Sequence, residues 1–261
     1  MAASVARVGR PLLGVAVFLA ALAVWEAWAR SKGSILVPPA SSVVETAWEV
    51  WPTTDFLTGV GASLRRLAAG FAIGAGVGIG LGLVMGSSTR ARRALEPLVE
   101  FCRAMPAIAI VPAAIVLLGL GDAMQITVIA FGLCFPVLVN TLAGVRAVSP
   151  EVRDTAAMLQ VGALERIFRI YLPGALPSIV AGLRVAVSLG LVAVVISEFV
   201  GEGEGLGRYI RLQQTEFDVP AMYCGILFLG LLGYVLNRLF LVGERRVLSW
   251  HYGSIGEGVG R

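Results

Sequence analysis

The chain has 261 residues, of which 57% are hydrophobic and 15% charged, with a net charge of +4 and a mean hydropathy of +0.83. A soluble domain carries about 45–50% apolar and about 25% charged residues, so most of the burial here must be in lipid and between helices. The three cysteines, Cys102, Cys134 and Cys224, lie in or beside apolar runs without CxxC spacing, which indicates neither a metal site nor a disulfide framework.

Residues 1–10 are short and basic, with Arg7 and Arg10. Residues 11–28 form an apolar run of the length a span needs, about 17–25 residues. A signal peptide is the rival reading. The run is long, ends in Trp25 and Trp28 and has no clear small-residue cleavage site, so it reads as a retained first span. Glu26 falls near its end, where an interfacial charge costs little. In residues 30–63, Ser41 or Ser42 reads as an N-cap, and Val44, Ala47, Trp48 and Trp51 follow at helical spacing. This predicts a short interfacial helix. The second span covers residues 67–86. Its Gly70, Gly74, Gly78 and Gly82 recur every fourth residue, a ridge of small residues that lets helices approach closely in lipid.

Residues 87–103 are polar and basic. Residues 104–120 are the third span, with Pro106 and Pro112 predicting a broken or kinked helix. Residues 119–122 form a tight turn, and residues 124–143 the fourth span, with a kink at Pro136. Next comes a charged, helix-forming segment, residues 154–173. Ser149 reads as its N-cap, Pro150 as the first helical position and Glu151 as an acid in the first turn. Leu164, Ile167, Phe168 and Tyr171 share one helical face, and Pro173 and Pro177 are expected to end that helix and start the next. The fifth span is residues 178–199, followed by a glycine-rich and then charged connection, residues 201–220. The sixth span is residues 221–242, and residues 244–261 are a polar tail.

With the N-terminus inside, thirteen basic residues outside the spans fall on the inner side: Arg7, Arg10, Arg90, Arg92, Arg93, Arg103, Arg146, Arg153, Arg166, Arg169, Arg245, Arg246 and Arg261. Six fall outside: Arg30, Lys32, Arg65, Arg66, Arg208 and Arg211. The positive-inside rule then puts both termini and the segment 154–173 in the cytoplasm.

That segment resembles the EAA loop in the permease subunits of ABC importers, which reads Glu-Ala-Ala, three residues, Gly, nine residues, Ile, one residue, Leu-Pro. Asp154, Thr155 and Ala156 fall on the triplet, Gln160 on the glycine, and Ile170, Leu172 and Pro173 on the end, without a gap. Thr155 and Gln160 depart from the pattern, and the nearby glycine is Gly162. Further stretches resemble the nitrate/sulfonate/taurine class of these permeases: residues 37–43, Ser63-Leu64-Arg65-Arg66, Arg103-Ala104-Met105-Pro106, and Ser197-Glu198-Phe199-Val200-Gly201 ending in Gly205-Leu206-Gly207.

The chain has no GxxxxGK[ST] motif, and its single lysine is Lys32, so nucleotide hydrolysis is expected in a separate ATPase subunit. The one histidine, His251, is in the tail, which leaves an intramembrane serine protease without a base. The rival from another class is an ion-coupled carrier using Glu26, Asp122 or Glu198. All three fall near span ends, where interfacial charges are ordinary.

The sequence therefore reads as an all-α membrane protein with six transmembrane helices and a cytoplasmic EAA coupling helix between spans 4 and 5. Its parts are an N-terminal span and external segment (1–63), a permease core (64–242, coupling loop 150–173) and a cytoplasmic tail (243–261). The resemblance implies a multi-pass protein of the cell membrane, paired as a homodimer. Its partners would be cytoplasmic ATPase subunits and an external solute-binding protein, with no cofactor, metal or nucleic acid. Asp154, Thr155, Ala156, Ala157, Gln160, Gly162, Ile170, Leu172 and Pro173 are the expected ATPase-coupling residues, with docking assigned to 154–162 and anchoring to 164–173. Gly70, Gly74, Gly78 and Gly82 pack helices. Glu198, Gly201, Gly205 and Gly207 mark an outer gate whose glycines let the backbone bend.

Overall fold

The computed structural model describes residues 2–34 and 36–248, residues 2–15 as backbone alone. The end of the tail, with His251, lies outside the described residues. Among the described residues the elements are helical throughout: α1 Ala2–Lys32, α2 Ala40–Val50, α3 Thr54–Ser87, α4 Thr89–Ala104, a 3-10 turn Ala107–Ile110, α5 Val111–Leu118, α6 Asp122–Ala147, α7 Pro150–Met158, α8 Ala163–Arg166, a π-helical turn Ile167–Tyr171, α9 Leu172–Val200, α10 Leu206–Thr215 and α11 Val219–Val247. Four stretches are long and apolar enough to cross a membrane: Thr54–Ser87, Asp122–Ala147, Ala163–Val200 and Val219–Val247. A bent pair, Thr89–Ala104 with Ala107–Leu118, is a fifth candidate.

The chain divides into two compact units, Met1–Thr58 with Tyr209–Phe228, and Gly59–Arg208 with Leu229–Arg261. The first is held by aromatic side chains. Phe56 meets Tyr209 and Phe228 edge-on at ring distances of 5.2 and 5.0 Å, and Trp51 meets Phe228 at 5.3 Å. Val43, Ala47 and Cys224 are buried beside them. The interfacial helix starts at Ala40 with Pro39 as its N-cap, not with Ser41 or Ser42. Ser41 is drawn off to Glu26, whose carboxylate accepts from the Ser41 N–H (3.1 Å) and hydroxyl (2.9 Å).

The second unit is built around α6, which buries twelve of its residues, from Met124 to Val145. α3 lies against it along one line of glycines. A Cβ built on Gly74 would sit 2.5 Å from the Ala130 carbonyl oxygen, and one on Gly78 would sit 2.6 Å from that of Cys134. Gly70 abuts Ile129, Gly82 abuts Thr141, and Gly86 extends the line to Val145. The interleaved Gly76 and Gly80 face open space. On the other side of α6, Gly182 of α9 approaches Asn140 and Gly144 of α6 approaches Ser178. Leu133, Val137, Ala186 and Val194 fill the core between them.

Prolines account for the departures from expectation. The third span is not one helix over residues 104–120: α4 and the following segment meet at 94°. Met105 is extended (φ −78°, ψ 126°), as a residue before proline is forced to be. Pro112 sits in the first turn of α5, where a missing N–H costs nothing. Pro136 lies inside an unbroken α6. Pro173 and Pro177 do not separate two helices either, since Ala163–Val200 runs through both. The π-helical turn at Ile167–Tyr171 widens the backbone just before Pro173, which relieves the clash of its ring with the carbonyl four residues back. The connection 201–220 contains a further helix, α10.

A clash between a Cβ and a backbone carbonyl cannot be relieved by changing rotamer. Gly74→Leu should therefore cost at least about 1–3 kcal/mol, while Gly76→Leu should be near neutral. Thermal unfolding of the two variants in detergent checks this, and equal loss at both positions would remove the glycine line from any packing role.

Candidate functional site

Three features of the second unit bring functional residues together. The first is the segment between α6 and α9. Ser149 precedes Pro150, whose fixed φ suits the first helical position. The Glu151 carboxyl is held below the usual range by its own backbone N–H and by the Ser149 hydroxyl. α7 ends in a Schellman turn: the Gln160 N–H donates to the Ala157 carbonyl and the Val161 N–H to that of Ala156, each at 3.0 Å. This closure requires a left-handed residue just past the helix. That residue is Gln160, with φ +52°. The bend is therefore at Gln160, where the family pattern has glycine, and not at Gly162, which has φ −59°.

The expected coupling residues divide accordingly. Asp154, Thr155, Ala157, Gln160, Gly162 and Pro173 are exposed, and Ile170 and Leu172 are half-buried. The Thr155 hydroxyl turns back to the Glu151 carbonyl (2.7 Å). Ala156 is 4% exposed, so its methyl faces its own chain and is not a free docking contact. The apolar stripe also splits. Tyr171 is buried and Ile167 half-buried, packed with Leu83, Val145, Ala175 and Ile179, whereas Leu164 and Phe168 are 71% and 63% exposed. The π-helical turn shifts the register, so the inward face becomes Ile167, Ile170, Tyr171 and Ala175. Met158 (84%) and Leu159 (73%) are exposed as well.

The second feature is a buried polar cluster at the far end of α9. Arg66 and Glu198 are 2% and 1% exposed. Arg66 donates through Nη1 to Glu198 Oε1 (2.9 Å) and to the Glu204 carbonyl (2.5 Å), and through Nε to Asp122 Oδ1 (2.7 Å). Ser63 donates to Glu198 (2.7 Å) and accepts from the Leu206 N–H (2.9 Å). Glu198 Oε2 accepts from the Gly207 N–H (2.8 Å). Gln125 donates to the Glu202 carbonyl (3.1 Å). Segment 201–207 is thus pinned backbone atom by backbone atom. Glu198 is not the water-accessible interfacial charge that its position near a span end suggested. Nor are its glycines there for bending alone: Gly203 has φ +96°, while a Cβ on Gly201 would run into Gln125, on Gly205 into the Glu198 carboxyl, and on Gly207 into the Val195 carbonyl. Sequence reading missed Arg66 and Ser63 as partners of Glu198, and Gln125 as a partner of the Glu202 carbonyl. The signal present was a Ser-x-x-Arg at the start of one apolar run and a lone acid at the end of another.

The acids that an ion-coupled carrier would use are all committed. Glu26 pairs with Arg30 at 2.6 Å, Asp122 with Arg65 and Arg66 at 2.9 and 2.7 Å, and Glu198 with Arg66. The third feature is a cavity of about 860 Å³ beside the α4–α5 break, walled by α6 and α9.

Residues 76–249 match the family described as the binding-protein-dependent transport system inner membrane component. The chain is 30% identical over 251 residues to the nitrate import permease protein of Synechocystis sp., covering 93% of this chain and 90% of that protein. It is also 30% identical to the formylaminopyrimidine transport permease protein of Halalkalibacterium halodurans, covering 89% and 93%. The fold resembles the inward-facing MetNI methionine ABC transporter, with a TM-score of 0.66 and 16% identity, over 73% of this chain and 95% of that one.

Two outcomes follow from the geometry. Removing one partner of a buried pair costs about 3–5 kcal/mol, while an exposed pair is worth about 0.2–1 kcal/mol. Arg66→Ala should therefore lower thermal stability far more than Arg65→Ala, whose side chain is 68% exposed. Gln160→Gly removes the left-handed penalty, about 1 kcal/mol, and should slow amide hydrogen exchange at Val161 about fivefold.

Proposed function

We propose a transport route and a coupling surface for a chain that belongs to the binding-protein-dependent transport system inner membrane component family. It is the permease subunit of an ABC importer. In our reading α1 is the first of six spans, the bent pair of α4 and α5 is the third, and both termini lie in the cytoplasm. Two copies form the path, a pair of cytoplasmic ATPase subunits drives it, and an external solute-binding protein delivers the solute. The names of the relatives bracket the solute: a small anion at one end, a pyrimidine at the other.

The observation that carries the coupling assignment is an apolar surface left exposed among the described residues. Val152, Met158 and Leu159, continued by Leu164 and Phe168, are exposed around a turn held rigid by its Schellman closure. A rigid apolar knob on a cytoplasmic loop suits a groove on an ATPase, where central, well-packed apolar anchors carry most of the affinity. Asp154 and Ala157 border that knob. Ala156 supports it from beneath, and Ile170, Leu172 and Pro173 join it to α9. Closure of the ATPase dimer would move α7 and α8 with α9 and so switch the path between inward and outward access.

Met158→Arg and Leu159→Arg should each weaken retention of the ATPase by about tenfold or more and leave thermal unfolding of the permease unchanged. Copurification of the ATPase with the tagged chain reads this directly. Wild-type retention by both variants would overturn the docking surface. Ala156→Arg, by contrast, should unfold the turn itself.

A further inference from the structure

Arg90, Arg92 and Arg93 open α4, and its first turn holds no acid. Arg90 and Arg93 are exposed and Arg92 is half-buried. Among the described residues none of the three forms an ion pair. Glu96, three residues after Arg93 and four after Arg92, pairs with neither. Like charges on adjacent turns repel, and a helix start adds the positive end of its dipole. The corner between α3 and α4 therefore holds positive charge that its own chain leaves uncompensated.

The depth of α4 can be read against α6. Gly86, at the end of α3, abuts Val145 near the end of α6. A Cβ built on Gly132, midway along α6, would lie 3.3 Å from the Ala107 Cβ, just past α4. Between its two ends α4 thus climbs about 20 Å along α6, about the depth of one leaflet with its headgroups. Its two sides differ. Glu100 and Arg103 line the cavity and pair with each other at 3.0 Å. On the opposite side Ala94, Leu98 and Phe101 are exposed, and no residue of α4 is buried. Arg90, Ala94, Leu98 and Phe101 follow at i, i+4, i+8 and i+11, so they form one stripe. It is charged at the membrane boundary and apolar below.

That order of chemistry is the order within a phospholipid. We infer that the stripe binds one anionic phospholipid. Arg90 and Arg93 hold the headgroup phosphate, which guanidinium groups take through paired N–H donors, and an acyl chain lies along Ala94, Leu98 and Phe101. Phosphatidylcholine carries its own cation beside the phosphate and leaves the arginine charge unmatched, so a net negative headgroup is selected. Because the other side of α4 walls the cavity, the lipid holds that wall in place. The inference goes beyond the importer reading and depends on neither the solute nor the ATPase.

The test is thermal unfolding of the full chain in detergent, titrated with dioleoylphosphatidylglycerol, dioleoylphosphatidylcholine or glycerol 1-phosphate. Phosphatidylglycerol should raise Tm saturably, and the other two should not. Arg90→Gln and Arg93→Gln should each raise the half-saturating phosphatidylglycerol concentration about fivefold, with Tm before titration unchanged. Arg245→Gln, at the end of α11, should leave the titration as in the wild type. An equal rise with phosphatidylcholine would reduce the stripe to ordinary lipid contact. A rise with glycerol 1-phosphate would make it a free anion site. Indifference of both α4 variants, or an equal loss in Arg245→Gln, would remove the arginine pair from the site. A change of oligomeric state in Arg90→Gln, read by light scattering, would give the stripe to a second copy. Each of these four results overturns the proposal.

Discussion

The close approach of α3 to α6 is the contact on which the rest of the second unit depends. In lipid, a helix gains nothing by hiding apolar side chains from water, so association must come from packing at short range. Five glycines of α3 remove every Cβ along one line, and α6 fills the space they leave, with its backbone at Gly74 and Gly78 and with the side chains of Ile129, Thr141 and Val145 at Gly70, Gly82 and Gly86. With α6 fixed on that side, α9 can close on the other through Gly182 and Gly144, while Gly190 admits Leu67 of α3. The ends of α6 then have defined places. One end holds Gln125 and Asp122 against segment 201–207 and Arg66. The other delivers the chain through Ser149 into α7.

The polar cluster at Glu198 depends on this packing. Burying a carboxylate and a guanidinium is expensive, and the cost is recovered only when the geometry is good and the remaining donors and acceptors are satisfied. Here Arg66 reaches two carboxylates and a carbonyl, and Glu198 takes the Ser63 hydroxyl and the Gly207 N–H in addition. Such a network fixes one register of α3 against α9, because a slip by one residue would strand a buried charge. It also leaves both carboxylate oxygens of Glu198 engaged by donors of its own chain.

Much of this was legible in the sequence, and the illegible part has definite causes. The apolar runs of α3, α6, α9 and α11 stand out by length and hydropathy. The four-residue glycine register showed which face of α3 is flat, and Ser149-Pro150-Glu151 marked the start of α7. What failed was whatever depends on distant partners or on local backbone adjustment. Arg66 and Glu198 are 132 residues apart, and nothing local shows that two residues near opposite span ends share one site. Helical periodicity put Leu164 and Phe168 inside because it assumes 3.6 residues per turn, and the π-helical turn breaks that assumption within the stripe. Ala156 looked like an open docking contact because a small residue fits close approach equally well to a partner or to its own chain. Gln160 was aligned with a glycine by spacing alone, but its left-handed φ is what explains that alignment.

The same helix carries both functional ends. α9 has 29 residues, about 44 Å at 1.5 Å per residue, and it is continuous with α8 through the π-helical turn. Tyr171 and Ala175 are buried at one end and Ser197 and Glu198 at the other. Between them one face packs against α6, and Val185, Leu189 and Val192 border the cavity. Under the proposed coupling, a push at the α7–α8 knob would act on a rod packed along its length. A shift or tilt of that rod as a body would move the cavity wall and the anchor of segment 201–207 together. Had Pro173 and Pro177 separated two helices, the loop would hang from a hinge and this motion would dissipate there. The π-helical turn keeps two prolines in place without giving up the continuity of the rod.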